Sequence, residues 1–299
     1  MWAGDGGDAR RSGYSAYRGP RKARIAWAAE AGNPDNNSPM VGPDGRIYVW
    51  NAHDRALKAV ENGATAWSVP LPLSEQVAFG PDGLVQLTSM TGRTKTLNRE
   101  GTPVRDDRTD MRMLGLFTWK GHAYSSAGSR PAGSDTTRWY FFRADDRRWQ
   151  VEIDAQAGRP VVDENGVIYV ATAKGTVYAI SDAGTILWSY RTEGGAATGL
   201  AITRDRNILA SAGPALYCVS DGKLRWKFSG DNDAKAFPAI HDQAGNIYFG
   251  KGSDFYALSS AGKELWRVRL YEPVTAAPAM DRSGHIYVST AARLYCLSE

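Results

Sequence analysis

Arg159-Pro160-Val161-Val162-Asp163-Glu164-Asn165-Gly166-Val167-Ile168-Tyr169-Val170-Ala171 opens the stretch on which the fold turns. Val161-Val162 is a short apolar run. Asp163-Glu164-Asn165-Gly166 is a tight turn, because Gly takes positive φ at no steric cost and Asp and Asn bond their own backbone two residues on. Val167 to Ala171 is a β-branched and aromatic strand. Lys174-Gly175 then turns the chain into Thr176-Val177-Tyr178-Ala179-Ile180-Ser181, and Asp182-Ala183-Gly184 turns it into Thr185-Ile186-Leu187-Trp188-Ser189-Tyr190. No apolar period of 3.6 residues lasts ten residues in this unit, which excludes a helix. Four short strands in about 40 residues are the size of one propeller blade.

The unit recurs. Trp27, Trp67, Trp149, Trp188, Trp226 and Trp266 stand at intervals of 40, 82, 39, 38 and 40 residues, the 82 being two periods with one Trp missing. Ile47-Tyr48, Leu84-Val85, Ala123-Tyr124, Ile168-Tyr169, Ile208-Leu209, Ile247-Tyr248 and Ile286-Tyr287 keep the same beat. Blade one begins near Ser38-Pro39-Met40-Val41 and blade two near Gln76-Val77-Ala78-Phe79; blade three centres on Leu116-Phe117-Thr118-Trp119 and blade four on Val161-Val162; blades five to seven open at Leu200-Ala201-Ile202, Pro238-Ala239-Ile240 and Pro278-Ala279-Met280. The seventh reaches Glu299 after three strands, whereas Arg24-Ile25-Ala26-Trp27-Ala28 reads like the fourth-strand sequence Glu264-Leu265-Trp266-Arg267-Val268. Residues 24–29 should therefore supply the outer strand of blade seven and close the ring, which removes open sheet edges. The expectation is an all-β, single seven-bladed β-propeller of four-stranded antiparallel blades over residues 1–299. Within it lie a leader at 1–23, the closing strand at 24–29 and the repeats at 38–299.

Bulk composition narrows the partners. A chain of 299 residues would suggest about two domains at ~150 residues each, but repeats override that prior. Hydrophobic residues make up 42% of the chain, enough for a large core, and no apolar segment is long enough to span a bilayer. The net charge of +4 is mildly basic; Lys and Arg interleave with 32 acidic residues, so no nucleic-acid partner is expected, and the chain is read as a monomer. Met1-Trp2-Ala3-Gly4-Asp5 lacks the basic and apolar regions of a signal peptide, which points to a cytoplasmic protein or a mature exported one. Cys218 and Cys296 occupy the same point of two repeats, where others carry Ala179 and Ala257. They read as small buried residues in blades too far apart for a disulfide.

Gly166-Val167-Ile168-Tyr169-Val170, Val177-Tyr178-Ala179-Ile180 and Gly184-Thr185-Ile186-Leu187-Trp188 resemble the repeats of quinoprotein-like (PQQ-like) β-propellers. Trp2, Gly4, Asp5, Arg11, Ser12, Gly13, Tyr14 and Tyr17-Arg18-Gly19-Pro20 resemble the leader often found before such repeats. The likeness covers nearly the whole chain, strongly in blades one and four to seven and weakly in two and three. It implies a fold and leaves function open, since one scaffold hosts many activities. Family members that are dehydrogenases usually have eight blades and hold a quinone in the central funnel with calcium, a catalytic Asp and often a vicinal Cys pair. This chain has seven repeats, no adjacent cysteines, and Ser181 and Ser259 where that pattern carries Asp. No cofactor and no metal are therefore expected, and the tryptophans read as packing between blades.

Turns after the first and third strands lie on one face and are short; loops after the second and fourth lie on the other and are longer. Binding residues gather on irregular loops of rigid scaffolds, so the long-loop face is the candidate. Trp50 ends the second strand of blade one, where other blades carry Ala171, Ser211, Gly250 and Ser289, and it leads into Asn51-Ala52-His53-Asp54-Arg55. That set could clamp a sugar, an aromatic group or a peptide side chain. Blade three carries an insertion from Ser125 to Arg138, a lid or a plain excursion, and Trp139 at its end joins the contact set. Asn36-Asn37, Glu75-Gln76, Asp154, Glu193, Asp231-Asn232-Asp233, Lys235 and Glu272 lie between blades and could converge on the central opening. His122, His241 and His285 fall at turns and are not spaced as metal ligands. No nucleophile elbow or Walker loop is present.

The leading expectation is a non-catalytic propeller that binds a small ligand or protein partner on its long-loop face through Trp50, Asn51, His53, Asp54, Arg55 and Trp139. The alternative is a cofactor-independent lyase, cyclase or hydrolase at the central funnel, with His53 as base and Asp54 or Glu193 as orienting acid. A PQQ-dependent dehydrogenase ranks third.

Overall fold

The computed structural model describes residues 7–8, 11–31, 38–51, 55–71, 75–79, 82–89, 93–108, 117–120, 122–130, 136–144, 146 and 149–299. These form seven four-stranded antiparallel sheets, each running in chain order from its first strand to its fourth, except the last. In that sheet Arg24–Ala29 pairs with Leu294–Ser298, which leads inward to Ile286–Ser289 and Ala279–Met280. The N-terminal strand thus completes blade seven and closes the ring, with Trp27 opposite Cys296.

The tryptophan period is an inter-blade seam. Within a blade the Trp of the fourth strand lies opposite a small residue of the third: Ala59–Trp67, Ala179–Trp188, Cys218–Trp226 and Ala257–Trp266. The indole then reaches the next blade, where its N–H donates to a carbonyl of the turn between third and fourth strands. Trp67 bonds Arg99 O at 2.7 Å, Trp149 bonds Asp182 O at 2.7 Å and Trp226 bonds Ser260 O at 3.0 Å. Each ring lies against a turn glycine; a Cβ at Gly262 would stand 2.5 Å from the Trp226 ring. Blade seven has no such turn, because its outer strand comes from the other end of the chain. Trp266 donates instead to Pro20 O of the leader, at 3.0 Å. In blade two the register puts Arg105 at the Trp position, opposite buried Thr96, and Arg105 pairs with Asp82 at 3.3 Å.

A second recurring contact lies within single blades. In blades four, six and seven an Asp at the turn after the first strand accepts from a Tyr six residues on: Tyr169 to Asp163, Tyr248 to Asp242 and Tyr287 to Asp281. The same carboxylate caps turn amides, as Asp163 does for Asn165 and Val167, both at 2.9 Å. Burial first, then the adjacent carboxylate, raises the Tyr169, Tyr248 and Tyr287 phenols, so they stay neutral donors.

Blade three corrects the sequence reading. Ser125–Ser129 are not loop; they extend the second strand, His122–Ser129, and pair with Arg138–Arg143 from Ser125↔Phe142 to Ser129↔Arg138. Trp139, Tyr140 and Phe141 are strong strand formers and supply main-chain partners that override the weak β-propensity of Ser and Gly. Residues 131–135 of the expected insertion lie outside the described residues. Cys218 and Cys296 are buried free thiols in blades five and seven. The described residues hold no helix long and apolar enough to cross a membrane.

Candidate functional site

Where the first strands of blades four, five and six converge, they frame the central channel. On the long-loop face its mouth is a cavity of about 590 Å³ walled by Gly194, Ala196, Gly213, Phe237, Ala276 and their neighbours. Below it lies a constriction of about 90 Å³ that shares Ala197, Pro238 and Ala277 with the mouth. Small residues line both because the first strands crowd together at the axis; at Gly199 a Cβ would stand 2.5 Å from Pro238. The charged side chains of this lining are Lys235 at the mouth and Arg11 and Arg159 at the constriction. Lys235 places its ammonium 5.3 Å from the centre of the Phe237 ring. No carboxylate or imidazole occurs among the described lining residues of these two cavities.

Arg11 arrives from the leader, whose part was not foreseen. Ser12 O accepts from Ile202 N at 2.9 Å, Gly13 O from His241 N at 2.8 Å and Tyr17 O from Gln243 N at 3.1 Å. Gly19 N donates to Asp242 Oδ2 at 3.0 Å. The leader therefore crosses the short-turn face, from the channel axis past blades five and six to the closing strand. No local pattern announces contacts 223 residues apart in the chain.

His241 sits beneath it, 1% exposed, with Tyr14 tilted over it at 5.2 Å between ring centres. Its Nε2 lies 2.6 Å from Ile202 O, and a carbonyl only accepts, so Nε2 carries the proton. Burial lowers its pKa and keeps the ring neutral, leaving Nδ1 buried without a partner.

The residues singled out from sequence are scattered. Trp50 ends its strand as expected, half-buried against the blade-one and blade-two core, with its Nε1 buried and unpartnered. Asn51 is described only as main chain, and Ala52, His53 and Asp54 lie outside the described residues. Arg55 is exposed in the turn, at φ 48°. Trp139 packs on a different cluster, with Val151 and Val162. The expected convergence of inter-blade acids on the opening does not occur among those described. Asp154 meets Thr176 and Arg191, Glu193 meets Lys227 at 2.7 Å, Asp231 meets Arg267, and Glu272 meets Arg293 and the Tyr295 hydroxyl. Each acid leaves one blade and is neutralised by the next, so these are clasps. Glu193 is largely exposed, and the Lys227 hydrogen bond lowers its pKa, the opposite of what a proton-accepting role near neutrality needs.

Among the described residues no group of three His, Cys, Asp or Glu side chains is placed to hold a metal. The described channel lining offers no carboxylate to a hard cation such as calcium or a lanthanide, which is bound through several oxygen ligands that usually include carboxylates. Among the described residues, this lining does not fit a metal-assisted quinone site.

Residues 141–252 match the family model described as outer membrane protein assembly factor BamB, of the PQQ-like repeat type. No curated protein sequence matches the chain. Among solved structures, virginiamycin B lyase from Staphylococcus aureus superposes with a TM-score of 0.61 at 11% identity, covering 93% of this chain and 99% of that one. A streptogramin B lyase gives 0.62 at 11% identity, over 91% and 97%. A europium-containing methanol dehydrogenase gives 0.68 at 9% identity, over 100% and 98%. At such identities the likeness is one of fold. Sheet order and strand register make the described residues a seven-bladed β-propeller, and residues 141–252 of it match a PQQ-like repeat family.

Proposed function

We propose that the protein is a non-catalytic binding propeller that takes an anionic group, of a small ligand or of a partner's side chain, into the channel mouth on the long-loop face. One observation carries this reading: the charged side chains lining the connected mouth and constriction are Lys235, Arg159 and Arg11, all cations. Cations in a narrow, low-dielectric channel concentrate anions and orient them. Lyase or hydrolase chemistry needs a base beside an acid, and the described lining offers neither carboxylate nor imidazole. Trp50 and Arg55, on the same face, would extend the contact outward. Titration calorimetry with citrate and with pyrophosphate tests the reading. The wild-type chain should bind at least one of them at low salt, and the double variant Lys235→Ala, Arg159→Ala should bind at least about tenfold more weakly. Absence of binding by the wild type, or equal binding by the variant, would sink it.

A further inference from the structure

The tryptophan seam lapses where blade four meets blade five. At Trp67, Trp149 and Trp226 the next blade turns from its third to its fourth strand with three residues, and that turn lies on the indole and accepts its N–H. Blade five makes the same turn with two, Asp221 and Gly222, at φ 50° and 72°, the backbone of a tight hairpin. The shorter turn stops short of the Trp188 ring. A Cβ at Gly222 would meet Trp188 Cβ at 3.2 Å and Cγ at 3.7 Å, whereas at Gly101, Gly184 and Gly262 it would strike the indole itself at 2.8, 3.1 and 2.5 Å. Trp27 also faces a two-residue turn, but there Gly63 still reaches across to its Cδ2 at 3.4 Å. Among the described residues the Trp188 N–H has no acceptor.

The uncovered ring walls a cleft of about 340 Å³ between blades four and five, on the short-turn face. Leu187, 53% exposed, continues its apolar side, and the Tyr169 ring stands 5.8 Å from that of Trp188. The polar side comes from two turns of blade five: Asp205 and Arg206 after the first strand, and Asp221 after the third. All three are exposed. Among the described residues the Asp205 and Arg206 side chains make no hydrogen bond or ion pair, and Asp221 accepts only from the adjacent Ser220 Oγ, at 3.3 Å. Asp163, behind them, is consumed by Asn165 N, Val167 N and the Tyr169 hydroxyl. Arg206 is moreover held at φ 58°, a left-handed backbone that costs a side chain bearing a Cβ. Blades one, two, four, six and seven turn there through glycine (Gly45, Gly83, Gly166, Gly245 and Gly284).

A charged ligand meets a like charge here whatever its sign, since Asp205 and Asp221 oppose an anion and Arg206 opposes a cation. A neutral molecule with several hydroxyls meets no such conflict, because each hydroxyl both donates and accepts. We propose that the cleft binds a neutral pyranose sugar. Its hydroxyls donate to Asp205 and Asp221 and accept from Arg206 and the Trp188 N–H, while its C–H face rests on the indole and Leu187. The site lies on the face opposite the channel mouth and does not depend on the ligand of that mouth.

The probes are glucose, galactose, mannose and N-acetylglucosamine, read by saturation-transfer NMR against the full chain. At least one should receive magnetisation and bind in the millimolar range. Asp205→Ala, at an exposed turn, should weaken that sugar at least about fivefold, the scale of a hydrogen bond to a charged group. Trp188→Phe, which keeps a ring and removes the N–H, should weaken it at least about threefold. Inserting one alanine between Asp221 and Gly222 restores the longer turn over the indole and should abolish binding. Each variant is checked for native circular dichroism, and if the insertion misfolds the two substitutions decide. The Lys235→Ala, Arg159→Ala variant should bind the sugar unchanged. Transfer to none of the four sugars, undiminished binding by Asp205→Ala or Trp188→Phe, binding by a folded insertion variant, or loss of binding in the channel-mouth variant would each overturn the proposal.

Discussion

Replacing Gly262 by Ala tests the seam that holds the blades together. Gly262 lies at φ +77°, and an added Cβ would stand 2.5 Å from the Trp226 ring of the preceding blade. Left-handed backbone costs a non-glycine residue ~1–2 kcal/mol. The indole must also move, which endangers its 3.0 Å bond to Ser260 O, a net ~0.5–1.5 kcal/mol, and ring packing of similar size. Gly245 is a matched control in the same blade: φ is +83°, but its Cβ would meet only the Ser260 Cβ, at 3.6 Å, an ordinary contact. Gly245→Ala should therefore cost ~1–2 kcal/mol and Gly262→Ala ~2–5 kcal/mol, an excess of ~1–3 kcal/mol from the seam alone. Urea unfolding read by tryptophan fluorescence measures both. Equal losses in the two variants would refute the claim that the periodic tryptophans stabilise the ring through the neighbouring turn.

Other outcomes follow from the same contacts. Burial pushes the Cys218 thiol up to about 11 and the Cys296 thiol up to about 12. Both stay neutral in the fold while an unfolded thiol ionises near 9; their contribution is whole below pH 9 and is lost as pH rises toward 11 and 12. A thiol reagent at pH 8 should label neither cysteine in the native protein and both in guanidinium. Burial lowers the His241 pKa against the opposing pull of Ile202 O, Asp242 and Asp8. That group's contribution is whole above its ordinary value near 6.5 and is lost as pH falls below it, so His241→Gln should flatten the loss of stability in mild acid; an unchanged pH profile counts against it. Gly284→Ala would drive a Cβ to 2.0 Å from Arg18 O at φ +81°, so the leader should become the first site of limited proteolysis while the blades keep their circular dichroism.

The architecture was legible because its cause is local and repeated. Each blade needs an apolar strand, an Asp/Asn/Gly turn and a Trp at a fixed distance, and the eye can check one repeat against the next. The same logic placed Trp27 in blade seven, since Arg24–Ala29 reads as a fourth strand. The site was far less legible. Asp154, Glu193, Asp231 and Glu272 looked like channel residues, yet each is spent on the adjacent blade, a pairing visible only in three dimensions. The channel cations come from unrelated places: Arg11 from the leader, Arg159 before blade four and Lys235 before blade six. The leader's role was hidden because its main-chain bonds depend on register, not side chains.

Closure by the first strand also sets a timetable. Trp27 and its opposite number Cys296 are separated by about 270 residues. At ~5–20 residues per second, roughly a quarter of a minute to a minute of synthesis passes between them. Throughout that interval blades one to six can form only an open arc with bare ends, while the earliest strand waits without a partner. Joining the ends carries a loop-closure cost on the order of 5 kcal/mol, and none of blade seven's contacts offsets it until the last strands emerge. The nascent chain is therefore most exposed to aggregation shortly before Leu294–Ser298 emerges to receive the first strand.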